Sequence, residues 1–140
     1  MSFTHLHLAS GYSFKYGTTL PDSLVERAAE LGMSALALTD RDTLAGAIRF
    51  ATSCDERSIA PILGIDIAFL NEKRRITLLA TPGKGWNSLV NIMTALKEEP
   101  SQQCTIDFLR RNSHHTVNLL ALHGAESEIG YLVGTYRYKQ

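Results

Sequence analysis

The sequence predicts a mixed α/β fold, in which short apolar strands alternate with amphipathic helices. Residues 35–38 (ALAL) form an apolar run that stops at charged residues, which is typical of a buried parallel strand. An amphipathic segment follows this run directly, as in a strand–helix unit. Two further apolar runs, 60–70 and 76–80, are separated by a few polar residues, and this short spacing predicts a hairpin.

Length and composition indicate one domain of ordinary soluble type. The chain has 140 residues, of which 44% are hydrophobic and 20% charged, as in most globular domains. Fourteen basic residues balance fourteen acidic ones, so we expect no strong direct binding of the chain to nucleic acid. The two cysteines lack CxxC spacing, and no signal segment or membrane span is evident. These features predict a cytoplasmic protein with reduced thiols and no membrane partner.

The first half of the chain supplies two strands and two helices. Residues 3–9 alternate in polarity and predict a first strand. A helix opens at Leu20-Pro21-Asp22 and ends at Gly32, because proline suits a helix start and glycine a helix end. After the strand at 35–38, a second helix is expected with Leu44, Ala47, Ile48 and Ala51 on its apolar face.

The second half continues with further strands and helices, and the expected order is as follows. We expect a third strand at 60–70, a polar turn at 71–74, a fourth strand at 76–80, a helix at 86–97, a short helix at 106–111, a fifth strand at 117–122 and a last helix near 129–133. Five strands cannot close an eight-stranded barrel, which takes about 250 residues. The sheet is therefore open, or the chain is the front half of something larger.

Asp40 is the first residue to suspect of function. It follows the buried strand at 35–38, and the carboxyl ends of such strands are where α/β proteins place their chemistry. The alternative is structural, because Asp40 or Asp42 could cap the helix that follows. The spacing alone leaves both interpretations open.

Histidines supply a second candidate feature. His5 and His7 are two residues apart, and on a strand this spacing points both imidazoles to one side, a metal-binding geometry. The alternative is a partly buried pair beside the loop. Asp40 and Asp66 strengthen a metal site if their strands are neighbours, because a His and Asp cluster could activate water for phosphoester hydrolysis. His123, at the end of the fifth strand, is a further candidate.

Several motifs in register resemble a known family. Residues 5–17 (HLHLASGYSFKYG), 24–51, 61–67 (PILGIDI) and 76–93 resemble the start of a PHP domain, named for polymerase and histidinol phosphatase. The likeness is greatest to the PHP domain that opens bacterial DNA polymerase III alpha subunits, especially the error-prone branch. The resemblance implies a partial, distorted and incomplete β/α barrel with mostly parallel strands and one hairpin. Residues 1–140 would form a single partial domain with about ten loose residues at its end, in a short or truncated chain.

The resemblance also indicates which metal ligands are replaced. Active members carry an HxH pair ahead of a Tyr-Ser step, and in this register the pair reads His7 and Ala9, with His5 one step upstream. This chain has Tyr16 where the family has an acidic ligand before the loop glycine. It has Arg41 where the family has the histidine of the Thr-Asp-His motif. The Gly-x-Glu ligand reads Asp66, a shorter carboxylate. Later ligands of the family would fall beyond Gln140.

These replacements predict a structural, catalytically degenerate domain with no cofactor. We also expect no polymerase activity, because the palm, fingers and thumb of the polymerases are absent from the sequence. A guanidinium is a permanent cation and opposes a divalent metal, so we expect Arg41 to pair with Asp40 or Asp66. The expected partners are the polymerase core or other replication and repair proteins. We also expect self-association, because the missing barrel strands would leave an apolar sheet edge uncovered.

The alternative is an enzyme. A divalent zinc, manganese or magnesium ion held by His5, His7, Asp40 and Asp66 would make the chain a metal-dependent phosphoesterase or a 3′–5′ nuclease. Its substrates would be nucleotides or DNA ends. Metal content separates this alternative from the structural hypothesis.

Overall fold

The structure is a computed structural model, and it describes residues 3–69, 71–99, 104–112 and 119–122. The chain divides into two compact units, Met1–Ile65 and Asp66–Gln140. Several expectations lie outside the described residues: the first residues of the fifth strand, the last helix, the loose tail and the role of His123. That residues 1–140 form a single domain stays a prediction.

The described residues form four helices and four strands. The helices are α1 (Pro21–Glu30), α2 (Ala47–Glu56), α3 (Gly85–Glu98) and α4 (Ile106–Asn112), and the strands are β1 (Ala35–Leu38), β2 (Ala60–Phe69), β3 (Asn71–Ala80) and β4 (Leu119–Leu122). The strands are hydrogen-bonded in the order β1-β2-β3-β4. The pair β1–β2 is parallel and the pair β3–β4 is antiparallel. The predicted α/β class is confirmed.

Strands β2 and β3 are neighbours in the sheet, and one residue lies between them in the chain. This close connection is what the hairpin prediction requires. The predicted polar turn at 71–74 was wrong, because β3 already begins at Asn71. Backbone hydrogen bonds form regardless of side-chain polarity, so a strand can continue through polar residues up to its turn.

The predicted first strand was also wrong. Residues 3–9 contain a bend at Leu6 and His7 and are not a regular strand, although they contact β1. The carbonyls of His5 and Leu8 accept hydrogen bonds from the amides of Ala37 and Thr39, at 3.0 and 2.8 Å. The donors are two residues apart and the acceptors three, so this segment carries one extra residue. As in a bulge, the extra residue breaks the alternation on which the strand prediction rested.

Helix α1 matches its prediction closely, and α2 does not. Pro21 opens α1, and Gly32 follows it with φ +68°, a conformation that glycine adopts without strain. Helix α2 begins at Ala47 after a loop rather than directly after Asp42, and Ile48 on its predicted apolar face is 67% exposed. Ala47 of the predicted face is buried, together with Phe50, Ser53 and Cys54, so the buried face is centred on Phe50 and Cys54 rather than on Ile48.

Each unit buries its own apolar side chains. In the first unit, α1 packs against α2 and β1, and the core is Val25, Ala28, Leu36, Leu38, Phe50, Cys54 and Ile59. In the second unit, α3 packs against β3 and α4. Both cysteines are free and buried, as predicted for reduced thiols, and burial raises the pKa of Cys54 to about 11 and of Cys104 to about 12. None of the described helices has the length and hydropathy needed to cross a bilayer.

Candidate functional site

Asp40 lies two residues beyond the end of β1 and is 2% exposed. Its Oδ1 accepts hydrogen bonds from the Ser10 amide at 2.6 Å and from the Ser13 hydroxyl at 2.7 Å. Its Oδ2 accepts a hydrogen bond from the Ser10 hydroxyl at 2.8 Å. Three donors therefore fix both oxygens of a buried carboxylate, in keeping with the rule that buried charges are paired or hydrogen-bonded.

The helix-cap alternative for Asp40 and Asp42 was wrong. The N-cap of α2 is Gly46, and no side chain makes a cap hydrogen bond there. Asp42 has φ +54°, a left-handed conformation that aspartate tolerates better than most residues. The carboxylate at the end of β1 thus organises the segment that precedes it in the chain, rather than the helix that follows.

The two serines connect Asp40 to the backbone around them. Both are completely buried. The Ser10 hydroxyl accepts a hydrogen bond from the Tyr12 amide at 3.2 Å, and the Ser13 hydroxyl accepts one from the Arg41 amide at 2.9 Å. The sequence offered no acid partner for these serines because Asp40 is 30 and 27 residues away in the chain.

Residues 10–19, which we call the aromatic loop, close on themselves around these contacts. The Gly11 amide donates to the Thr19 carbonyl at 2.7 Å, and the amides of Tyr16 and Gly17 both donate to the Ser13 carbonyl at 3.0 Å. A Cβ at position 17 would lie 1.9 Å from the Ser10 carbonyl oxygen. Only glycine permits this close approach.

Gly46 allows the aromatic loop to lie against the start of α2. A Cβ at this position would meet the Tyr12 ring at 2.8 Å and Oδ2 of Asp40 at 3.2 Å. The sequence signal was present, since a glycine comes directly before the apolar face of a helix. The structural role of Gly46 depends on contact with Tyr12, which is far away in the chain, so this role was not evident from the sequence.

Tyr16 and Arg41 contact each other. The Cζ atom of Arg41 lies 3.4 Å from the centroid of the Tyr16 ring, which is the geometry of a cation–π stack. The resemblance places metal ligands at both of these positions and at Ala9. Two of the three replaced ligands thus form a pair in this chain.

An arginine on α2 contacts an aspartate on α1. Nε and Nη2 of Arg49 donate to Oδ2 of Asp22 at 2.8 and 2.6 Å. The hydrogen bond from Arg49 lowers the pKa of the Asp22 carboxyl. Hydrogen bonds to Asp22, and then to Tyr12, raise the pKa of Arg49. Both side chains of this ion pair are largely exposed, so it contributes little to stability.

His5 and His7 are both exposed. The His5 ring packs edge-on against Phe3, with centroids 4.7 Å apart. The two imidazoles do not share a strand face as predicted, because this segment is not a regular strand. Within the described ranges, no group of three or more His, Cys, Asp or Glu residues could hold a metal ion. The ligand roles of His5, His7, Asp40 and Asp66 stay predictions.

In the second unit, Asp66 on β2 is 1% exposed and forms an ion pair with Arg75 on β3. Nε of Arg75 lies 3.1 Å from Oδ2 of Asp66, and Nη2 donates to the Asp66 carbonyl at 2.7 Å. Arg75 was not evident from the sequence. The predicted turn at 71–74 placed Asp66 and Arg75 at unequal distances from the turn, whereas β3 begins at Asn71, so that the two residues form a cross-strand pair.

Comparisons with known proteins agree with the fold and the motifs. The PHP domain family model matches residues 5–140. An error-prone DNA polymerase from Symbiobacterium thermophilum is 44% identical over 102 residues, covering 71% of this chain and 9% of that protein. A DNA polymerase III subunit alpha from Buchnera aphidicola subsp. Schizaphis graminum is 36% identical over 97 residues, covering 66% of this chain and 8% of that protein.

A solved structure has a related fold. It is an amidohydrolase from Chromobacterium violaceum with bound sulfate and no metal, with a TM-score of 0.54 and 26% identity. The match covers 68% of this chain and 33% of that one. This chain spans only 8–9% of the length of the polymerases that it resembles. The family match extends over nearly the whole sequence, and the chain therefore belongs to the PHP domain family.

Proposed function

We propose that this chain is a structural PHP domain of the type found in error-prone DNA polymerases, with a degenerate metal site and no catalytic activity of its own. The similarity to error-prone and replicative polymerases supports the polymerase context. The single observation that best supports the proposed loss of catalysis is the stacking of Arg41 on Tyr16.

The chemistry of this pair opposes metal binding. A metal ligand must offer a lone pair, and a guanidinium is a permanent cation that offers none. Stacking on Tyr16 fixes the Arg41 charge beside the aromatic loop at 3.4 Å from the ring centroid. A divalent ion bound close to this cation would be repelled at every accessible pH, because arginine does not deprotonate in proteins.

The carboxylates are also engaged by other groups. Asp40 would have to exchange three hydrogen bonds, from Ser10 and Ser13, for a metal. In the second unit, the charge of Asp66 is neutralised by Arg75. Among the described residues, the carboxylates of neither unit are therefore suited to a divalent ion.

The proposed role is that of a scaffold within a larger polymerase assembly. The similar polymerases are far longer than this chain, which matches only 8–9% of their length. We propose the polymerase core, or another replication or repair protein, as the partner. In the absence of that partner we expect the purified chain to self-associate.

A phosphodiesterase assay tests the loss of catalysis. Purified chain is incubated with zinc, manganese or magnesium and with bis(p-nitrophenyl) phosphate or a 3′-labelled oligonucleotide. The expected result is hydrolysis no faster than in buffer with the same metal. Metal-dependent hydrolysis that disappears in His7→Ala, but persists in the control Ile48→Ala, would contradict the proposal and favour the phosphoesterase or nuclease alternative. His7 and Ile48 are both exposed, so neither substitution should disturb folding.

A further inference from the structure

Three exposed rings lie on the aromatic loop. Tyr12, Phe14 and Tyr16 are 37%, 85% and 52% exposed. A single exposed ring is common on protein surfaces, but a concentration of large apolar groups usually marks an interaction surface. Aromatic side chains are also enriched at the centres of protein–protein interfaces, where they supply much of the binding energy.

The rings belong to one surface, because two of them contact the same neighbouring segment. The Tyr12 ring lies against Gly46, where an added Cβ would come within 2.8 Å of it. The Tyr16 ring stacks on Arg41, at the other end of the loop that precedes α2. Phe14 lies between these two rings in the chain, and all of these residues belong to the first unit.

The charges beside the rings are of both signs. The cations are Lys15, Arg41 and Arg49, and the anions are Asp22 and Asp42. Asp22 pairs with Arg49 at 2.6 Å, and Asp42 follows Arg41 in the chain. A polyanion such as nucleic acid or an anionic membrane is attracted by a surplus of positive charge. This surface has little surplus, so its charge favours neither of them.

The loop is also held in one conformation before any partner binds. Its buried serines are fixed by Asp40, and its ends are joined by the hydrogen bond between Gly11 and Thr19. Lys15 has φ +59°, a left-handed conformation that persists only where the surroundings impose it. A preorganised loop loses little conformational entropy on binding.

We propose that the aromatic loop is the contact surface of a two-fold homodimer of this chain. In such a dimer the same surface faces itself, so it must supply the groups that match its own. Rings can pack against rings, and charges of both signs let the cations of one copy approach the carboxylates of the other. The net charge of the whole chain is zero, so no net repulsion opposes the approach of two copies.

The proposed dimer specifies the surface through which the purified chain self-associates. It differs from association through an uncovered sheet edge, which would pair backbone groups of strands and would not involve the rings. It also requires neither the presence nor the loss of a metal site.

Sedimentation velocity of the full 140-residue chain, in EDTA and at concentrations up to about 1 mM, the weak end of the affinity scale, tests this inference. We expect a monomer–dimer equilibrium without larger species, because a two-fold contact closes on itself. Phe14→Ala should raise the dissociation constant of the dimer about tenfold or more, as expected for a central aromatic side chain of an interface. Phe14 is the most exposed of the three rings, so its removal should leave the circular dichroism spectrum unchanged.

The matched control is Leu31→Ala, which removes an exposed apolar side chain at the C-terminal end of α1, whereas the aromatic loop adjoins its N-terminal end. It should dimerise like the unaltered chain. The inference is overturned if Phe14→Ala dimerises as well as the unaltered chain, a result that would favour the sheet edge, or if Leu31→Ala weakens the dimer equally. A chain that stays monomeric would also overturn it, and would leave the loop as a contact surface for a different protein.

Discussion

The two buried aspartates of this chain are satisfied in different ways. Asp40, in the first unit, accepts hydrogen bonds from an amide and two hydroxyls, all of them neutral donors. Asp66, in the second unit, contacts the guanidinium of Arg75. Both lie in segments whose sequence resembles PHP domains, residues 24–51 and 61–67. Neutral donors allow Asp40 to organise a distant loop, whereas the ion pair of Asp66 joins two strands that are already close in sequence.

This difference predicts how substitutions at each site should affect stability. Removal of Asp40 leaves several buried neutral groups without a partner and releases the aromatic loop. Removal of Arg75 leaves one buried charge, and a second substitution that removes the charge should repair the damage.

Asp40→Ala should have the largest effect. It removes the acceptor of three buried hydrogen bonds, and hydrogen bonds to charged groups are strong and expensive to leave unmade. We expect a loss of about 3–5 kcal/mol in the free energy of unfolding, measured by urea denaturation. The control Asp42→Asn keeps a residue suited to the left-handed backbone and should change stability by less than about 0.5 kcal/mol. A loss below about 1 kcal/mol for Asp40→Ala would show that Asp40 does not organise the loop.

Arg75→Met should cost about 2–3 kcal/mol, because the Asp66 charge is left buried without its guanidinium. The double variant Asp66→Leu and Arg75→Met should regain at least half of that loss, since buried ion pairs can often be replaced by apolar residues. Urea denaturation of the single and double variants measures both effects. Arg110→Met removes an exposed arginine, 3.6 Å from Asp107, and serves as the control with little effect. No recovery in the double variant would contradict the account of Asp66.

Gly17→Ala should cost about 2 kcal/mol, because its Cβ would overlap the Ser10 carbonyl and force the aromatic loop to shift. Gly11→Ala is the matched control in the same loop, since its Cβ would meet nothing closer than 3.4 Å. Thermal denaturation compares the two variants. Equal melting temperatures for Gly17→Ala and the unaltered chain would mean that the loop closes differently from the structure.

Each unit also buries one neutral titratable group, the thiol of a cysteine. Burial raises the pKa of Cys54 to about 11 and of Cys104 to about 12, from an ordinary value of 9.0. Because the pKa values are raised in the folded protein, the stabilising contribution of the protonated thiols is present below pH 9.0. It falls as the pH rises from 9.0 toward the folded pKa values, because the thiols of the unfolded chain ionise first. We expect Cys54→Ala to reduce the loss between about pH 9 and 10 by about 1 kcal/mol, measured by urea denaturation at each pH. An unchanged pH profile in this variant would contradict the burial of the Cys54 thiol.

The sequence predicted those features that depend on neighbouring residues. The apolar run at 35–38, Pro21 at a helix start and Gly32 at a helix end are local signals, and each element formed as predicted. The predicted strand at 3–9 was wrong, because one extra residue between two hydrogen bonds to β1 is not visible in an alternating pattern.

The candidate site was predictable only in part. Asp40 could be singled out because it follows a buried strand, but its serine partners come from a segment about 30 residues away, and no periodicity encodes that contact. The stack of Arg41 on Tyr16 is likewise a tertiary contact. The pair of Arg75 and Asp66 was missed for a different reason, because the turn was predicted at 71–74 while β3 already begins at Asn71.

The central claim is that arginine and tyrosine have replaced metal ligands in this PHP domain. Metal content, measured by elemental mass spectrometry on chain purified without chelator, tests it most directly, with His7→Ala as the control. The account predicts far less than one zinc, manganese or magnesium ion per chain, and no difference between the two samples. Near-stoichiometric metal in the unaltered chain that is lost in His7→Ala would contradict it.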